Sequence, residues 1–170
     1  GSTFKLFTYT AALNEGLKVT DLLIDTPKCW KGYCPKNFGN KYLGKITIND
    51  AFKVSSNTIA VQLLDIVGFN KVILIANKLG VGNEQKLGNY YPLAIGAYEE
   101  TVLNMTAAYA GIENKGIYMK PTPFEEIVGP NNKVIWSKKV NGSNGLRAVP
   151  AKTAERMNLM LQDSVRDGTG

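Results

Sequence analysis

Apolar residues crowd the first segment on every side. Phe4, Leu6, Phe7, Tyr9, Ala11, Ala12 and Leu13 leave no continuous polar face between Ser2 and Glu15. The pattern predicts a helix over 2–15 that is buried all round. Gly16 is suited to end it, because a residue just past a helix often needs left-handed backbone. From 20 to 45 the period is lost, and Pro27, Pro35 and several glycines predict loop.

Helical spacing then returns. Thr47-Ile-Asn-Asp50 resembles a capping box and opens a short helix through Val54. A second helix runs from about Asn57 to Val67 and stops at Gly68. Asn70 is the expected cap of a third, with Val72, Ile73, Ala76 and Leu79 on its face and Gly80 as its stop. Residues 81–99 read as irregular. Thr101 caps a helix through Asn114, with Val102, Met105, Tyr109 and Ile112 on one face. Phe124–Val128 and Lys133–Ser137 flank Gly-Pro-Asn-Asn, which predicts a β-hairpin. Residues 141–145 read as a flexible loop. Pro150 starts a last helix through Val165. Tyr9, Tyr109 and the methionines are read as core.

Length and composition narrow the chemistry. The chain has 170 residues, the size of one domain, with 44% hydrophobic and 20% charged residues. It has no histidine and two cysteines. A Ser-His-Asp or Cys-His centre is therefore excluded within these residues, as is a histidine or four-cysteine zinc site. A nucleophile here needs a lysine, carboxylate or tyrosine as base. No metal and no cofactor are called for.

The formal charge is +6. Lys28, Lys31, Lys36, Lys41 and Lys45 fall in a stretch without an acid, interleaved with Trp30, Tyr33, Phe38 and Tyr42. Cations beside rings are the footprint of a single-strand nucleic-acid platform. A solvated loop is the commoner use of such residues, and no nucleic-acid partner is expected. Cys29 and Cys34 have four residues between them, which is wrong spacing for Cys-x-x-Cys redox chemistry. They form either a small-loop disulfide or two free thiols. No apolar run approaches the ~18 residues that span a bilayer, so no membrane contact is expected within this segment.

Two short strings carry candidate chemistry. Ser2-Thr-Phe-Lys5 is an S-x-x-K, and i,i+3 spacing on a helix puts hydroxyl and amine on one face. A desolvated Lys5 would have a lowered pKa and could act as base. Ser55-Ser-Asn57 is an S-x-N between two helices, where a hydroxyl could relay a proton and an amide could hold a substrate. Each string is expected by accident about 0.6 times in a chain of this composition, so neither is informative alone. Helix capping is the ordinary use of serine and asparagine at such a place.

Their context is what identifies them. Residues 1–9, Gly-Ser-Thr-Phe-Lys-Leu-Phe-Thr-Tyr, resemble the active-site helix of the penicillin-binding proteins, whose motif set is S-x-x-K, S-D-N and K-T-G. Tyr33-Cys-Pro-Lys-Asn37 through Tyr42-Leu-Gly44 resembles the family loop Y-x-P-x-N…Y-x-G. Ile46–Ala51 with Ser55-Ser-Asn57-Thr-Ile-Ala-Val61 resembles the helix pair around the second motif. Leu93–Gly96, Glu100-Thr101, Ala107–Ala110 and Asn114–Gly116 follow the later family stretch, and Asp167-Gly-Thr-Gly170 resembles the G-T-G before the third motif. The style is that of the transpeptidase domain of bifunctional, class A members.

The resemblance implies an α+β fold of the β-lactamase/transpeptidase-like serine acyltransferase type, here a mainly helical fragment with a small β-hairpin. It implies Ser2 as the acylated nucleophile, Lys5 as its base, Ser55 as the proton relay to the leaving amine and Asn57 as the anchor of the substrate amide. The implied reaction cross-links peptidoglycan stem peptides through a serine acyl-enzyme, and β-lactam antibiotics trap that serine. The implied setting is the extracytoplasmic face of the bacterial cytoplasmic membrane, where a Cys29–Cys34 disulfide can persist. A penicillin-sensing or catalytically silent relative is the alternative.

The third motif is not found. Lys152-Thr-Ala154 is rejected, having Ala for Gly and lying in a helical pattern rather than on a strand. Residues 1–170 are therefore expected to be a partial transpeptidase domain that lacks the strands before S-x-x-K and ends before K-T-G. By itself it should be inactive or nearly so, since one lost oxyanion donor costs roughly 10²–10³ in rate. Unpaired strand edges are expected to invite self-association.

Overall fold

The computed structural model describes residues 1–83, 86–142 and 144–170. Ser2–Phe4 form a 3-10 turn that runs straight into α1 (Lys5–Asn14). Then follow β1 (Leu22–Asp25), β2 (Gly44–Thr47), α2 (Ile48–Lys53), α3 (Asn57–Val67) and α4 (Phe69–Lys78). A 3-10 turn at Tyr91–Ile95 precedes α5 (Val102–Glu113) and β3 (Ile117–Tyr118). The remainder is β4 (Glu126–Val128), β5 (Val134–Ser137), α6 (Lys138–Asn141), β6 (Leu146–Arg147) and α7 (Ala151–Asp167).

α1 is the axle of the molecule. Every residue from Lys5 to Leu13 is buried, as its all-round apolar pattern requires, and α3, α4 and α7 pack around it. Its end is the expected one: Gly16 takes φ 98°, and Leu17 N–H bonds back to Ala12 C=O at 3.1 Å. The core around it includes Ile48, Ile59, Leu63, Leu64, Leu79, Leu93, Ile112 and Met157. Thr47 and Thr101 cap α2 and α5 through their hydroxyls, accepting from Asp50 N–H and Asn104 N–H.

Four sequence expectations are corrected. The 20–45 stretch is not all loop, because β1 pairs antiparallel with β2 in the register Leu22↔Thr47 to Asp25↔Gly44. The partners lie about twenty residues apart, so no hairpin signal marks them. Asn70 does not cap α4: Gly68, at φ 89°, joins α3 directly to α4 across a 100° bend, and Asn70 falls in the first helical turn. The buried residues of α5 are Ala107, Ala108, Gly111 and Ile112, while Val102 is 82% exposed. Small residues let α5 approach α7 and β3 closely, so the large side chain at its start is not needed inside. Met119 is exposed rather than core. A further two-residue pairing, β3 with β6, had no sequence signal.

The β4–β5 hairpin forms as expected. Pro150 stands immediately before α7, which runs to Asp167. Lys152-Thr-Ala154 lies inside that helix with Thr153 and Ala154 buried, consistent with its rejection as a third motif. Of the expected 141–145 loop, residue 141 closes α6 and Ser143 lies outside the described residues. No single helix among the described residues is long and apolar enough to cross a membrane.

Candidate active site

Ser2 and Lys5 meet Ser55 and Asn57 at one point, although fifty residues separate the two strings. The first pair rides the entry of α1. The second sits in the tight turn between α2 and α3. That turn is built by Ser55 N–H on Phe52 C=O at 2.9 Å and Ser56 N–H on Ala51 C=O at 2.9 Å. It holds Ser55 at φ 55°, the left-handed region that a non-glycine residue seldom occupies. Ser56, rather than Ser55, serves as the cap of α3, accepting from Ile59 N–H at 3.2 Å. Capping thus uses one serine, and the strained turn aims the other at α1.

Lys5 is the hub. Its Nζ donates to Ser55 C=O at 2.6 Å, Ser55 Oγ at 2.8 Å and Asn57 Oδ1 at 2.6 Å, and reaches Ser2 Oγ at 3.4 Å. The residue is 2% exposed. Burial without a counter-ion disfavours the ammonium, and its pKa is lowered to about 8. An amine poised near neutrality, touching two hydroxyls, can take a proton from one and pass it to the other.

Asn57 is fixed from the far side. Its Nδ2 donates to Lys36 C=O at 2.7 Å, and its backbone N–H donates to Asn37 Oδ1 at 2.8 Å. One Nδ2 hydrogen is therefore left for a further acceptor. The 33–44 stretch thus forms a wall of the site. Cys29 and Cys34 are joined as a disulfide at its start, which resolves the pairing left open by sequence.

Two clefts converge on these groups. One, of about 750 Å³, is lined by Ser2, Asn57, Lys36, Lys41, Phe38 and Leu43 among others. The second, of about 380 Å³, is lined by Ser2, Lys5, Ser55, Tyr109, Leu161 and Thr169 among others. Ser2, Ser55 and Thr169 border both. Tyr9 is core as expected, but Tyr109 is not only core: it walls the second cleft, and its hydroxyl donates to Thr3 C=O at 2.9 Å. Its helical spacing could not reveal that the helix points this ring toward Ser2. Asp25 and Thr58 were also missed. Asp25 lies in no short motif, and only folding brings it behind Asn57; Thr58 follows Asn57 directly in sequence, but its bond to Asp25 exists only in the fold.

The basic stretch does not present all its rings. Trp30 is buried, tilted against Tyr91, with the Lys28 ammonium 5.0 Å from its ring centre. Phe38 is 99% exposed at the cleft mouth. Among the described residues, no group of three His, Cys, Asp or Glu side chains is placed to hold a metal ion.

A hydroxyl, a desolvated amine, a second hydroxyl and an amide around one cleft are equipped for acyl transfer. The chain belongs to the penicillin-binding protein transpeptidase domain family, whose model matches residues 1–170. It is 34% identical over 144 residues to penicillin-binding protein 1A of Rickettsia prowazekii, covering 81% of this chain and 18% of that protein. It is 38% identical over 141 residues to penicillin-binding protein 1A of Aquifex aeolicus, covering 79% and 19%. The solved PonA1 protein of Mycobacterium tuberculosis in complex with penicillin V superposes with a TM-score of 0.86 at 23% identity, covering 98% of this chain and 48% of that one. The fold expectation is met by that superposition. The chain spans about a fifth of the length of the curated relatives it matches.

Proposed function

We propose that these residues form the acylation centre of a peptidoglycan D,D-transpeptidase, with Ser2 as nucleophile, Lys5 as base, Ser55 as proton relay and Asn57 as substrate anchor. The observation that carries this is the placement of Lys5 Nζ against Ser2 Oγ and Ser55 Oγ together. Neutral Lys5 takes the proton as Ser2 Oγ attacks the carbonyl of a D-Ala-D-Ala peptide bond. The proton passes through the Ser55 hydroxyl to the departing D-alanine nitrogen, and the free N–H of Asn57 steadies the donor peptide. The ester on Ser2 then yields to an amine of a neighbouring stem peptide, which takes the acyl group and returns the proton to the serine. A β-lactam enters the same first step and leaves a lasting ester.

In this reading the natural setting is the outer side of the bacterial cytoplasmic membrane. Residues 1–170 are a partial domain, to be completed by a K-T-G that these residues do not contain. A polypeptide of these residues alone is expected to acylate far more slowly than a complete domain. The two-stranded β1–β2 sheet, with Leu22 and Ile24 half exposed, offers an edge for self-association.

The test is mass spectrometry of the natural polypeptide with a labelled penicillin. A long-lived adduct on the Ser2 peptide, abolished in Ser2→Ala, supports the reading. An adduct elsewhere sinks it, and rapid release of penicilloate points to a hydrolase. A stable adduct in a protein that cross-links no stem peptides would favour the penicillin-sensing alternative.

A further inference from the structure

Among the described residues, Asp25 is the only acid lining the larger cleft, and the chemistry proposed above gives it no part. It is 1% exposed. Four groups converge on its carboxylate: Asn37 Nδ2 at 2.8 and 3.1 Å, Leu43 N–H at 3.0 Å, Ser56 Oγ at 3.1 Å and the Thr58 hydroxyl. No cation pairs with it among the described residues. A buried charge is costly unless every lone pair is occupied. If apolar packing were all this place required, hydrophobic side chains would serve as well or better.

The arrangement is directional. Asn37 cannot turn its amide, because its Nδ2 donates to Asp25 and to Lys41 C=O at 3.0 Å. Its Oδ1 must then face the first turn of α3, where Asn57 N–H donates at 2.8 Å and Thr58 N–H at 3.2 Å. The preceding residue, Lys36, holds the Asn57 side chain through its carbonyl. Asn57 in turn receives Lys5. A chain of oriented contacts therefore runs from the end of β1 to the proposed base.

We propose that Asp25 is a positioning residue: by fixing the Asn37 amide it holds residues 36–37 against Asn57 and so sets the orientation of the Asn57 amide toward Lys5 and the donor peptide. The proposal rests on the acylation reading above.

The test uses the natural polypeptide containing these residues. Acylation by a fluorescent penicillin is resolved into noncovalent affinity and the acylation rate constant from pH 6 to 10, with a melting curve for each variant. Asp25→Asn and Asn37→Ala are expected to lower the rate constant about 10²-fold, the cost of a small misplacement in a reacting site. Asn37→Ala leaves the carboxylate its other donors, so the test survives if Asp25→Asn fails to fold. In both variants the midpoint of the pH profile should move below about 8. The reason is that the Lys5 ammonium loses an acceptor that Asn57 no longer holds in place. If losses merely follow the unfolded fraction, with the pH midpoint unmoved, Asp25 only stabilises the fold and the proposal is overturned. If the unaltered protein is not acylated at all, the acylation reading itself fails, and this one with it.

Discussion

The two walls of the site are held by opposite means. The Ser2–Lys5 wall is the front of α1, a helix buried on every side among apolar neighbours. The Asn57 wall leans on a loop whose support is polar: one buried carboxylate, the Asn37 amide, two main-chain carbonyls and a disulfide. Apolar packing is insensitive to direction, so it can bury α1 firmly without specifying an amide orientation. Hydrogen bonds are weak in net stability but directional, and they suit a wall whose task is to aim one side chain. Damage to the apolar packing of the first wall should therefore appear mainly as lost stability, and damage to the second mainly as lost rate.

The largest effect expected is chemical. Lys5→Met in the natural polypeptide should slow acylation by about 10⁴-fold, the upper end of what a general base contributes. The same pair of proteins tests the electrostatics. Burial lowers Lys5 from 10.5 to about 8, so between these values the unfolded chain binds more protons than the folded one. Stability from this group therefore rises with pH across that window, by about 3 kcal/mol relative to Lys5→Met at full extent. A flat difference in unfolding free energy between pH 8 and 10 would show that Lys5 is already solvated.

Next comes the apolar wall. Phe7 is fully buried and meets Phe4 edge to face at 4.9 Å. Phe7→Ala should cost about 3–5 kcal/mol by denaturant titration. Acylation by the folded fraction should change little, and a large rate loss there would blur the distinction between the walls. Cleaving the Cys29–Cys34 link with reductant, or replacing both by serine, should cost about 2 kcal/mol from the freed loop. It should slow acylation more than an α1 substitution of equal cost. Removing the α2 cap with Thr47→Ala should cost about 1 kcal/mol. Smallest of all, Lys71→Ala breaks a half-exposed ion pair with Glu15 and should shift stability by less than about 1 kcal/mol.

Most of the helices were legible because they are written locally; the short α6 was not read. Thr47, Ser56 and Thr101 all accept at helix starts, Gly16 turns at an end, and the 3.6-residue period marks most of what lies between. Asn70 misled because the true start of α4 is a glycine conformation at Gly68, and conformation is not visible in residue type alone. β1 was hidden because its partner is distant in sequence and both its faces carry apolar residues. The candidate site was legible in part. Ser2, Lys5, Ser55 and Asn57 stood in short strings that gained meaning from the ordered resemblance around them. Asp25 stood in no such string, and Thr58 and Tyr109, though inside the resembling stretches, carried no signal of their place at the site.

From sequence came the family, the buried first helix, the exclusion of histidine-based catalysis within these residues and the pairing of serine with lysine one helical turn apart. These depend on residue identity and near-neighbour spacing, which the chain carries everywhere along its length. Tertiary structure decided that Lys5 reaches Ser55 and Asn57 at once, that burial brings its pKa to about 8, and that a carboxylate held by hydrogen-bond donors rather than by a cation stands behind the amide. Desolvation and convergence are properties of what surrounds a group in space. Contacts spanning 50 residues, as between Lys5 and Ser55, exist only once the core has closed around α1.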